Sequence, residues 1–169
     1  MEFAGATAVF ETLNRADVAY LVVGGLAVNA HGYVRMTMDI DLVVSLASGN
    51  IMAALHALAD IGYRPAVPIT PEQFADPANR ARWIAEKGMR VLKLWSPRHP
   101  LCPVDIFVEE PFDFAAEHGT APRFMLDEKL EVPVVRLAAL LALKEQAGRP
   151  QDLADIAVLQ EIARGGPAS

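Results

Sequence analysis

The sequence is short of the features that would place it in a membrane, an export route or a zinc-binding scaffold. It has a single cysteine, Cys102, in 169 residues, so no internal disulfide can form, and a leftover thiol is best tolerated in a reducing compartment. No apolar run reaches the roughly 18 to 20 residues a membrane helix needs. The longest, Ala19 to Val28 and Leu137 to Leu143, end at polar or charged positions. The N-terminus, Met-Glu-Phe-Ala-Gly-Ala, carries Glu2 where a secretory signal has basic residues. The expected location is therefore cytoplasmic, away from any membrane. His31, His56, His99 and His118 show no His-x-x-x-His spacing, which argues against zinc, and His31 reads as a packing residue. Positive charge is also in deficit: 15 basic against 21 acidic residues give a net charge of -6, which disfavours a generic coat for polyanions.

What is present is a chain built to fold. Hydrophobic residues make up 53% and charged residues 21%, on the globular side of the compositions that stay disordered. With neither repeats nor linkers, the length fits one domain over residues 1–164, followed by a flexible tail, 165–169, of Gly-Gly-Pro-Ala-Ser. Ala6, Val9, Phe10 and Leu13 fall at i, i+3, i+4 and i+7, the stripe of a helix ending near Asp17. The β-branched and aromatic run Ala19 to Val23 reads as a strand that stops at Gly24-Gly25 and leads into a short helix, Leu26 to Ala30. A second strand is expected over Met38 to Val44, then a helix capped by Asn50 and closed by Gly62. Thr70-Pro71 and Asp76-Pro77 each pair an N-cap with proline at the first helical position, so one or two helices occupy Pro71 to Lys87, stopped by Gly88. Met89 to Trp95 and Val104 to Val108 are further strands. An extended Glu131 to Val135 precedes two helices, Arg136 to Ala147 and Gln151 to Ala163. The fold class is α/β (α+β): a mixed sheet flanked by helices, with a C-terminal helical pair.

The chemistry concentrates between residues 20 and 44. Asp39 and Asp41 lie two apart, on one face of the expected strand, with Ile40 turned into the core. Neighbouring carboxylates repel and cost free energy to desolvate, and the one sequence-local cation is Arg35. A divalent ion with oxygen preference, Mg2+ or Mn2+, resolves the conflict, especially when substrate phosphates complete its shell. Gly24-Gly25 stands at a strand-to-helix turn where phosphate oxygens can approach backbone N–H groups. Neither a Rossmann fingerprint nor a P-loop fits the spacing of Gly24, Gly25 and Gly32. Asp105, alone among apolar strand residues, is the candidate third carboxylate of a two-metal site.

Each residue also has a plainer reading. Asp39 fits a cap, Asp41 a buried ion pair, Asp105 a strand edge, and Gly24-Gly25 a tight turn. Arg35 and Thr37 either position a phosphate or, for Arg35, pair with Asp39 or Asp41. Lys144 either reaches a nucleotide triphosphate or snorkels to solvent. Arg149, Asp152 and Asp155 read as ties within the helical pair.

The glycine pair after the first strand, the Asp39-Ile40-Asp41 motif on the next and Asp105 on a later one resemble the nucleotidyltransferase superfamily with the DNA polymerase β-type catalytic fold. The nearest likeness is to small bacterial members related to AbiEii-type toxins. The segment from Leu143 through Lys144, Gly148-Arg149, Asp152 and Asp155 to Ile156 also resembles their tail. The resemblance is specific from residue 20 to 44 and loose between 62 and 100. It implies a metal-dependent enzyme that moves NMP from an NTP to an acceptor hydroxyl. Asp39, Asp41 and Asp105 would be catalytic and metal-binding, and Gly24, Gly25, Arg35, Thr37 and Lys144 would face the NTP. The implied acceptors are an RNA end such as tRNA or a small hydroxylated, antibiotic-type molecule, and the implied partner is a cognate antitoxin. A module of the same fold that binds without turnover is the alternative.

One segment runs against the overall charge. From Arg80 to Arg98 stand Arg80, Arg82, Lys87, Arg90, Lys93 and Arg98 against Glu86, with Trp83 and Trp95 among them. Such a stretch is either a solvated surface or a grip for RNA or a base.

Overall fold

A computed structural model describes residues 3–165; residues 166–169 of the expected tail lie outside the described residues. In chain order the elements are α1 (Phe3–Arg15), β1 (Tyr20–Val23), α2 (Gly24–Ala30), β2 (Ile40–Val44), α3 (Ser48–Asp60), β3 (Arg64–Pro65), α4 (Pro71–Ala75) and α5 (Pro77–Lys87). There follow β4 (Val91–Trp95), β5 (Val104–Phe107), α6 (Phe114–Thr120), β6 (Arg123–Met125), β7 (Glu131–Pro133), α7 (Leu137–Ala147) and α8 (Pro150–Ala163).

Five strands form a mixed sheet in the order β1-β2-β5-β4-β3, parallel between β2 and β5 and antiparallel elsewhere. β6 and β7 pair separately and attach to β1 through Val135, whose N–H donates to the Val22 carbonyl at 3.0 Å. The apolar runs dictate this centre: all four residues of β1 are buried, and so are all of β2 except half-buried Asp41. Ile40 is fully buried, as its alternation with the two aspartates requires. Val9, Phe10 and Leu13 of α1 fill the same core, α1 packs on α3, and α7 pairs with α8.

The proline-led helices form as the caps predict. Thr70 accepts from Gln73 N–H in a capping box, Asp76 caps α5, and Gly88 ends it with φ 60°. Three expectations change. α3 begins at Ser48, and Asn50 does not cap it. The Asn50 side chain instead accepts from the Ala19 N–H at 2.8 Å and donates to the Ala19 and Ser45 carbonyls, clamping the start of β1 to the end of β2. A helix, α6, stands where no element was expected, capped by Asp113. The basic segment also breaks up: Arg80 and Trp83 are buried. The Arg80 guanidinium donates to the Phe74 and Ala75 carbonyls, satisfying helix-end acceptors instead of gripping a phosphate. Among the described residues no helix is long and apolar enough to cross a membrane.

Candidate active site

The sheet register assembles the site. Asp41 of β2 lies opposite Asp105 of β5, and Lys93 of β4 lies opposite Asp105 from the other side, so two carboxylates and an ammonium share one cross-strand row. Asp39 sits at the bend just before β2, one residue short of the strand expected to contain it. The Lys93 ammonium joins it to the row, 3.0 Å from Asp105 Oδ1 and 3.5 Å from Asp39 Oδ2. Its approach to Asp105 is off-axis: the buried Oδ1 makes no aligned hydrogen bond.

The glycine pair shapes the opposite wall. Gly24 adopts φ +61°, and a Cβ there would strike the Asp41 carboxylate. A Cβ at Gly25 would strike the Thr37 side chain. The segment between α2 and β2 is thus laid directly on the glycines, with the Thr37 hydroxyl also reaching the Asp39 carbonyl.

Crowding sets the electrostatics. Burial, then the charges of Asp105 and Asp39, push the Asp41 carboxyl up to about 6, with the Gly25 N–H and Arg149 acting the other way. Burial also raises Asp105, against the attraction of Lys93. Although desolvation opposes it, bonding to Asp105 and Asp39 holds Lys93 above its ordinary range.

Arg35 was expected near a phosphate or on the motif aspartates. Its guanidinium instead makes a bidentate pair with fully buried Asp155, both contacts at 2.7 Å. The pairing follows from the fork of arginine matching a carboxylate, and it pins the segment before β2 to α8. Lys144 is 5% exposed and does not snorkel; it bridges Asp152 at 3.1 Å and Asp155 at 2.7 Å. Arg149 donates to Asp152, and Gln151 to Asp155. In both aspartates burial is outweighed by these donors, which hold them below the usual carboxylate range. The expected ties of the helical pair are therefore present, with Arg35 added. His31 packs as anticipated, edge-on to Phe124 and bonded to the Val135 carbonyl.

A cavity of about 620 Å³ opens between the sheet and the C-terminal helical pair, lined by Gly24, Asp41 and Asp105 on the sheet side and by Leu140, Lys144 and Arg149 on the other. Arg90 of the basic segment reaches it too, a placement that strand alternation alone did not signal. Among the described residues no three His, Cys, Asp or Glu side chains converge closely enough to hold a metal ion as they stand. The donor set nevertheless suits one. Hard carboxylate oxygens, a buried Asp105 Oδ1 without an aligned donor and an Asp41 strained by like charge are what a divalent cation would relieve.

The mixed sheet with its crowded aspartates, faced across the cavity by Lys144 and Arg149, has the fold of solved nucleotidyltransferases. A lincosamide antibiotic adenylyltransferase, LnuA, solved with lincomycin bound, superposes with a TM-score of 0.61 at 15% identity, covering 94% of this chain and 96% of its own. A nucleotidyltransferase-like protein from Thermotoga maritima, TM1012, gives 0.55 at 14% identity, over 90% and 88%. No curated protein sequence matches. The family model described as nucleotidyl transferase AbiEii toxin, type IV TA system, matches residues 13–169, and the chain belongs to that family.

Proposed function

We propose that this chain transfers a nucleoside monophosphate from an NTP to an acceptor hydroxyl at the Asp39, Asp41 and Asp105 site. The observation that carries the reading is the row Asp41–Asp105 facing Lys144 and Arg149 across one cavity, with carboxylates on the side where metals would sit and, on the other, two cations held in place by Asp152. Gly24 and Gly25 let the Asp41 carboxylate and the Thr37 side chain lie directly against the β1–α2 turn, which seats the acids beside the backbone proposed to meet the phosphates. Lys144 and Arg149 draw the triphosphate toward α7 and α8, and Arg35 and Thr37 hold the segment that carries Asp39. Mg2+ or Mn2+ bound by the three aspartates would supply charge neutralisation at the transferred phosphoryl and lower the pKa of the acceptor hydroxyl.

The acceptor is proposed to be an RNA end. Trp95, half exposed on β4, lies on the same strand face as Lys93, where a terminal base can stack; a small hydroxylated acceptor is the alternative on the same face. The type IV toxin description of the family makes an antitoxin the proposed partner. A second reading, binding without turnover, is favoured by Lys93, whose one positive charge already contacts two of the carboxylates. Incubation with α-labelled NTPs, Mg2+ and cellular RNA is expected to label RNA. Equal labelling by an Asp39→Ala/Asp41→Ala variant would overturn the proposal, and calorimetric NTP binding with no label in any acceptor fraction would favour the second reading.

A further inference from the structure

We infer that Lys93 is a displaceable stand-in for the metal: its ammonium holds the place between Asp39 and Asp105 until a divalent cation arrives, and it must leave for the cation to bind. The inference rests on the proposed metal-dependent reading of the site. Three observations support it. The ammonium touches both Asp105 Oδ1 and Asp39 Oδ2, at 3.0 and 3.5 Å, and a cation ligated by both carboxylates would have to occupy that same space. One ammonium serves two carboxylates and reaches Asp39 only at 3.5 Å, so its single charge is shared where a divalent ion would answer both acids in full. The side chain is also 47% exposed. Packing does not lock it, and the flexible four-carbon stem has a route to solvent on the face it shares with Trp95.

A lysine in this position offsets the mutual repulsion of the aspartates. Without it, Asp39, Asp41 and Asp105 would repel one another with no counter-charge in contact, because Arg35 is engaged by Asp155 and Arg149 by Asp152. With it, metal binding becomes an exchange of one cation for another. The chain's intrinsic metal affinity is lowered, and occupancy then depends on the extra ligands that phosphates bring.

The test uses the full chain and Mn2+ alone, followed by the electron paramagnetic resonance signal of free Mn2+. Lys93→Met should bind Mn2+ about fivefold more tightly than the parent, equivalent to about 1 kcal/mol, the upper end measured for exposed pairs. Lys93→Arg, which keeps the charge, should not show this gain. In the parent, acylation of Lys93 by acetic anhydride, mapped by mass spectrometry, should rise when Mn2+ is added, because the amine is released; this measurement does not depend on any variant folding. Parent binding that is unchanged or weakened in Lys93→Met, or acylation of Lys93 that is unmoved or suppressed by Mn2+, would overturn the inference while leaving the metal site standing. Absence of Mn2+ binding in both parent and variant would overturn the inference together with the metal-dependent reading.

Discussion

Gly24 and Asp41 constrain each other as a pair. The glycine's φ of +61° is a left-handed conformation that a side chain disfavours, and the space a Cβ would take is filled by the Asp41 carboxylate. Gly24→Ala is expected to cost about 1 to 3 kcal/mol of stability through backbone strain. It should also abolish nucleotide transfer by moving Asp41 off the Asp105 row. Thermal denaturation and single-turnover labelling check this, and a variant with parental transfer would show that the close approach does not matter. Asp155 is the second decisive residue. It is fully buried and receives Arg35, Lys144 and Gln151. Asp155→Asn leaves Arg35 without its anion and Lys144 with Asp152 alone, so a loss of about 3 to 5 kcal/mol is expected in urea unfolding. A loss under about 1 kcal/mol would mean that water or Asp152 satisfies those cations.

The elements show how far a linear reading reaches. Strand patterns and caps are local, so β1, β2, β5, the Thr70 and Asp76 starts and the late helical pair were legible from neighbours a few residues apart. Asp41 and Asp105 were legible as acids in apolar strands, and Asp39 by its spacing from Asp41, although it lies at the bend before β2. Lys93 was visible only as one of several basic residues, because its role comes from a strand register that sets it against Asp105. Arg35 and Asp155 are separated by 120 positions, so no spacing rule joins them. Asn50 misled because a good cap residue is also a good clamp for the unpaired backbone at strand ends. One element junction carries its own prediction. Glu117 of α6 accepts from the N–H of Arg136, the residue that opens α7, and pairs with its guanidinium at 2.6 Å. α7 in turn bears Leu140 and Lys144 on the cavity wall. Glu117→Gln should therefore destabilise by about 1 to 3 kcal/mol and weaken NTP binding in proportion, measured by calorimetry. Unchanged affinity in a destabilised variant would show that α7 is held in place without this cap.

Across the whole molecule, two sets of buried acids pull stability in opposite directions with pH. Bonding to Arg136 holds Glu117 low, and Asp152 and Asp155 are held low by their donors. These three contribute stability that is present above ordinary carboxylate values and is lost as pH falls through their depressed ones. Asp41 and Asp105 behave in reverse, since burial raises both. The Asp41 carboxyl, raised to about 6 by burial and by Asp105 and Asp39, favours the folded state only while protonated. That contribution is complete below about 4 and disappears as pH rises through about 6, a loss on the order of 2 to 3 kcal/mol. In chelator the thermal midpoint should accordingly peak near about pH 4 and decline between about pH 4 and 6, levelling off above that. Saturating Mn2+ should remove the decline on the alkaline side, because a cation stabilises the ionised Asp41 that repulsion otherwise penalises. Asp41→Asn should flatten the same limb without metal, since its amide carries no charge to desolvate. A midpoint that climbs steadily from pH 5 to 7.5 in chelator would contradict the like-charge strain assigned to the Asp41–Asp105 row.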